Sequence, residues 1–145
     1  MAQVTLTRSI QAPTEAVFGV VSDIRNFSKA VDNIQKVEFL SETQSGVGTR
    51  FRETRLMGGR EASSVLEVTE FVPGEKVRLV SESQGTVWDS VFTVQPENGG
   101  TNLTLHMTAT SKNVITKLMV RLMMGMVTKA IAKDMDAVKA YCEKG

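Results

Sequence analysis

Residues 34–110 are cut at short intervals by glycine-bearing turn signals: Ser45-Gly46, Gly58-Gly59, Pro73-Gly74, Gln84-Gly85 and Asn98-Gly99-Gly100. Glycine admits the positive φ that tight hairpins require, and proline presets the first turn angle, so these dipeptides read as links between antiparallel strands. The intervals 34–42, 47–57, 61–71, 76–83, 86–95 and 101–110 are therefore six strands of a meander. A sheet of this kind has two faces and must cover one of them.

The cover is supplied by the segment that follows. Residues 112–142 hold no proline and a single glycine, and their apolar residues recur at helical spacing. At about 100° per residue, Ile115, Met119, Leu122, Met123, Met126, Val127, Ala130, Val138 and Tyr141 form one broad face, with Lys117, Arg121, Thr128, Asp136 and Lys139 opposite. That face is expected to lie against the sheet. Val114, Leu118 and Met124 fall outside it, which points to a second contact surface, either a homodimer patch or a portal.

Ahead of the meander, Val4, Leu6, Arg8 and Ile10 alternate with Thr5, Thr7 and Ser9 as a first strand. Pro13-Thr14-Glu15 then opens a short helix with Ala16, Val17, Val20, Val21 and Ile24 on one face. A second helical piece over residues 26–31 is capped through Asp23 or Asn26. A chain of 145 residues with 41% hydrophobic content suits one domain over residues 1–145.

Charge and cysteine usage narrow the function classes. Seventeen basic against 16 acidic side chains leave a net charge of +1, so no strong global field attracts nucleic acid or an anionic membrane. The lone Cys142 forms no internal disulfide, residues 1–13 lack a signal-peptide profile, and residues 118–127 fall far short of a membrane span. A reducing, cytoplasmic setting is expected. No HExxH, CxxC, Walker or dinucleotide-binding pattern occurs, so neither metal nor cofactor is expected.

Four stretches carry a family likeness: Ile10-Gln11-Ala12-Pro13-Thr14-Glu15-Ala16-Val17-Phe18 running into Val21-Ser22-Asp23-Ile24; Gly46-Val47-Gly48-Thr49-Arg50-Phe51; Leu66-Glu67-Val68-Thr69-Glu70-Phe71-Val72-Pro73; and Gly99-Gly100-Thr101-Asn102-Leu103-Thr104-Leu105. In this order, over essentially the whole chain, they resemble the START-like (SRPBCC, helix-grip) superfamily and its polyketide cyclase/dehydrase and lipid transport group. The family commonly carries a Trp in or just after the second short helix, where this chain has Phe27 and Ala30. The resemblance implies an α+β fold in which a seven-stranded curved antiparallel sheet grips a long C-terminal helix around a cavity. In different members that cavity takes up lipids, sterols, polyketides or quinones, and only some members are enzymes.

Strand parity selects the residues that would line such a cavity. On the third strand Phe51 and Met57 share a face with Glu53 and Arg55, while Arg50 and Arg52 occupy the opposite, solvent-facing side. A buried charge is costly unless paired, so Glu53 and Arg55 are expected to bond each other, Ser64 on the next strand, or a ligand head group. Trp88, Ser90 and Phe92 share an inward parity, as do Leu103 and Leu105, which leaves His106 on the outer side with Asn102 and Thr104. The expected lining is completed by Leu66 and by Met119, Leu122, Met123 and Met126. The methionines suit an irregular apolar wall or plain core filling equally.

Without a nucleophile, base and orienting carboxylate in view, carriage of a hydrophobic or amphipathic small molecule is preferred. Two alternatives stand beside it: a polyketide cyclase/dehydratase using Glu53 or Arg55, and a protein-interaction module of the same fold.

Overall fold

The computed structural model describes residues 2–144. The elements run β1 (Ala2–Ile10), α1 (Thr14–Val21), α2 (Ile24–Ala30), β2 (Ile34–Phe39), β3 (Arg50–Met57), β4 (Arg60–Val72), β5 (Lys76–Ser83), β6 (Thr86–Glu97), β7 (Gly100–Ser111) and α3 (Val114–Glu143). All seven strands pair antiparallel in the order β1-β7-β6-β5-β4-β3-β2, so the six-strand meander is completed by β1 joining β7. This is the expected α+β architecture.

The hairpins form where the turn residues demand. Gly58 and Gly59 have φ of 57° and 83°, so a two-residue turn joins Met57 to Arg60 with the twist that adjoining strands favour. At Gly100 the constraint is space, because a Cβ there would stand 2.5 Å from the Ile10 carbonyl oxygen. The sheet's outer face is partly polar, and His106 lies there with its Nδ1 2.7 Å from the Thr5 hydroxyl across the β1/β7 ladder.

Two boundaries differ from the sequence reading. Ile24 does not belong to α1: the chain breaks at Ser22, and Asp23 caps α2 by accepting the Arg25 N–H at 3.0 Å. The Ser45-Gly46 pair makes no tight hairpin either. β2 ends at Phe39 and β3 starts at Arg50, so residues 47–49 of the expected strand lie outside it, and Val47 is 61% exposed. The cause is the bonding of this loop to β4. Gly48 N–H donates to the Val68 carbonyl and Thr49 donates its hydroxyl to Gly46 O, so the loop closes onto β4 rather than onto β2.

The core fills the curve of the sheet from one end. Val17, Phe18, Val20 and Val21 of α1 and Ile24 and Phe27 of α2 are buried, with Phe18 edge-on to Phe71 and Phe27 against Phe92. From the other side α3 contributes Val120, Ile131, Met135 and Val138.

That stripe corrects the expected helix face. Ile115, Met119, Leu122, Met123, Met126 and Tyr141 are all exposed to 40% or more. Apolar spacing tells which residues share a side of a helix; it does not tell what stands opposite. The C-terminal half of α3 is tied to β1 and the segment after it, through Arg8 to Asp136 at 2.7 Å and Gln11 N–H to Glu143 at 2.9 Å. The N-terminal half is held by its Asn113 cap and by Val120 alone among its buried residues.

Candidate functional site

Because α1, α2 and the C-terminal half of α3 fill only part of the sheet's concave side, a cavity of about 380 Å³ remains. That is within the usual range for small-molecule sites. Residues at alternate positions on each strand reach it. β3 contributes Phe51, Glu53 and Arg55, β4 Ser64 and Leu66, β6 Trp88, Ser90 and Phe92, β7 Leu105, and α3 Met123 and Met126. Three expected residues stand elsewhere. Leu103 is wholly buried in the packed core, while Met119 and Leu122 lie at the surface, 56% and 78% exposed. Leu103 has the right parity, yet its part of β7 is filled; Met119 and Leu122 lie on the solvent-facing side of α3, away from the buried Val120.

One ionic cluster breaks the apolar wall. Arg55 donates from Nε to Glu53 at 2.5 Å and from Nη1 to both Asp134 oxygens at 3.0 and 2.9 Å. The side chains are 19%, 10% and 14% exposed respectively, so the group faces little bulk water. Two carboxylates share one guanidinium, which leaves one unit of negative charge when all are ionised. Burial pushes the Asp134 carboxyl above the ordinary carboxylate range against the pull of Arg55, and nearby Glu53 adds to the rise. Burial alone would lower Arg55, but Glu53 and Asp134 outweigh it and raise it.

Asp134 was not among the residues selected from sequence. Its signal was present: it is the one acid among Val127, Ala130, Ile131 and Val138, on the side of the helix that faces inward. Ser81 and Ser83 were missed as well, though they alternate with Leu79 on β5 and all three line the cavity. Ser64, Ser81, Ser83 and Ser90 make no side-chain hydrogen bonds among the described residues, so the wall carries free hydroxyls as well as apolar surface.

With this geometry in place, residues 1–143 match the family model described as polyketide cyclase / dehydrase and lipid transport. The chain belongs to that family. Membership in the polyketide cyclase/dehydrase and lipid transport family agrees with the START-like resemblance carried by the sequence. No curated protein matches the sequence.

Among solved structures, the Zhui aromatase/cyclase from Streptomyces is similar with a TM-score of 0.81 at 16% identity, over 99% of this chain and 94% of that one. A protein from Thermus thermophilus gives 0.73 at 20% identity, over 99% and 95%. The di-domain ARO/CYC StfQ from the steffimycin biosynthetic pathway gives 0.80 at 10% identity, over 98% of this chain and 50% of that one. At these identities the likeness establishes the fold. The family and its fold are those of hydrophobic-ligand binders and cyclases.

Proposed function

We propose that the chain binds an apolar small molecule bearing oxygen substituents, with the hydrocarbon body against Phe51, Leu66, Trp88 and Phe92 and a polar end at Glu53, Arg55 and Asp134. The observation that carries this reading is a cavity with a mainly apolar wall and a single buried ionic cluster. A plain hydrocarbon would cover the serine hydroxyls of the wall, Ser81 and Ser90 among them, without offering them a partner, and polar groups buried unpaired weaken binding.

Native mass spectrometry of freshly purified protein, with uptake of an apolar fluorescent dye, tests it. A retained small molecule, or dye binding displaced by hydroxylated polycyclic compounds or fatty acids, is the expected result. If no apolar compound binds, the carrier reading is wrong.

A second reading, a cyclase or dehydratase, is favoured by Asp134, a largely buried carboxyl on the cavity wall whose burial favours its protonated form. In a dehydration, that carboxyl would protonate a departing hydroxyl to release water while Glu53 took the proton from the adjacent carbon. Turnover of a β-hydroxy ketone that Asp134→Asn abolishes while binding persists would favour this reading over simple carriage.

A further inference from the structure

Only Val120 is buried in the first four turns of α3, and no residue from Arg121 to Ala130 is. The same turns present Val114, Ile115, Leu118, Met119, Leu122 and Met126 to solvent, with Val114 82% and Leu122 78% exposed. An apolar face of that extent marks a contact site rather than ordinary surface.

Charge indicates the occupant. Residues 98–133 contain no Asp or Glu and five basic residues, Lys112, Lys117, Arg121, Lys129 and Lys133. Among the described residues, only Lys112 of these has a carboxylate within 4.0 Å, that of Glu82 at 3.2 Å. At about 100° per residue, Lys117 and Arg121 border the apolar arc on one side, and Lys129 and Lys133 close it at its C-terminal end. Lys117 and Arg121 also share one groove with Gln3 and Ser111. The opposite border is the cavity itself, because Met123 and Met126 belong both to its wall and to the exposed face. The near-zero net charge of the whole chain conceals this local asymmetry.

We propose that the N-terminal half of α3 docks on a bilayer carrying anionic lipid. Its apolar face enters the boundary between headgroups and acyl chains, and its basic residues meet the headgroups. A nucleic acid would answer the charges and leave Leu118 and Leu122 in water. A second copy would cover the apolar face and set these basic residues against their own kind across a two-fold axis. A bilayer satisfies both, and it places the cavity mouth against the phase in which apolar compounds dissolve. The docking stands independently of what the cavity holds.

Co-sedimentation with vesicles of phosphatidylcholine plus phosphatidylserine, against phosphatidylcholine alone, tests the proposal. The mixed vesicles are expected to bind the protein and the neutral ones to bind it far less, with binding falling as salt rises. The pair Lys117→Gln and Arg121→Gln is expected to weaken binding about thirtyfold, from two lost headgroup attractions. Leu122→Glu, at a position exposed enough to leave the fold unchanged by circular dichroism, is expected to abolish it. Equal binding to both vesicle types, no binding, or binding indifferent to these substitutions overturns the proposal. So does a concentration-dependent dimer that Leu122→Glu dissociates while vesicles stay unbound, for the face is then a seam between copies.

Discussion

Replacing Arg55 by Met keeps the apolar stem of the side chain and deletes the guanidinium that Glu53 and Asp134 share. Both carboxylates then face each other in surroundings that leave them 10% and 14% exposed, without a cation. Breaking a buried ionic group by removing one partner costs about 3–5 kcal/mol. Residual exposure and the protonation open to Asp134 favour the lower end, about 3 kcal/mol near pH 8. Asp134, already raised by burial in the parent, loses the opposing pull of Arg55 in the variant, so its folded-state pKa stands above its unfolded value. Its charge is therefore harmless below the unfolded pKa and increasingly destabilising as pH rises through the folded one. The deficit relative to the parent should shrink to about 1 kcal/mol near pH 4, where protonated carboxyls can also bond each other. Urea unfolding followed by circular dichroism reads this directly. With a slope of about 2 kcal/mol per molar, the midpoint falls by about 1.5 M near pH 8 and by about 0.5 M near pH 4. A midpoint unchanged near pH 8, or the same loss at both pH values, would refute the argument that Arg55 neutralises a buried pair.

Ligand selectivity should follow the same residue: Arg55→Met is expected to weaken a carboxylate- or hydroxyl-bearing ligand by about 1.5–3 kcal/mol more than a plain hydrocarbon, by calorimetry. Equal loss for both removes the head-group role. Leu103→Ala, in the packed core, should lose about 2–5 kcal/mol of unfolding free energy, and Leu122→Ala, on the exposed face of α3, within about 0.5 kcal/mol of none. Comparable losses would mean that α3 is seated differently. Asp23→Ala should remove about 1 kcal/mol by uncapping α2. The hydrogen bonds from Arg25 hold the Asp23 carboxyl below its ordinary range, so its contribution is present above the unfolded pKa and lost as pH falls through the folded one. The difference between parent and variant in chemical unfolding should accordingly narrow as pH falls below the ordinary carboxylate range, and a difference that widens on acidification would contradict the cap.

The sheet was legible because each hairpin announces itself locally, as at Gly58-Gly59, and because parity then carries along a strand from one anchor. Phe51 fixed the inward face of β3, and with it Glu53 and Arg55. The failures came where the answer depends on distant parts of the chain. Nothing near residues 40–49 says that Gly48 will bond Val68. Nothing in the spacing of Ile115, Met119 and Leu122 says that Val120, and not they, will turn toward the sheet. Asp134 lies 79 residues from Arg55, so their pairing is invisible to periodicity. A lone acid among inward-facing apolar helix positions was the clue available.

On the proposed function, the space bounded by β3 to β7 and α3 receives an apolar ligand. Methyl-labelled methionine offers reporters on every side of it: Met57, Met107, Met123 and Met126 line the cavity, Met135 is buried in the core, and Met119 and Met124 lie outside the lining. Titrating a hydroxylated polycyclic compound while recording the methyl resonances should shift the four lining methyls together, with Met119 and Met124 unmoved. Shifts confined to Met119 and Met124, or none at any methionine, would contradict the account.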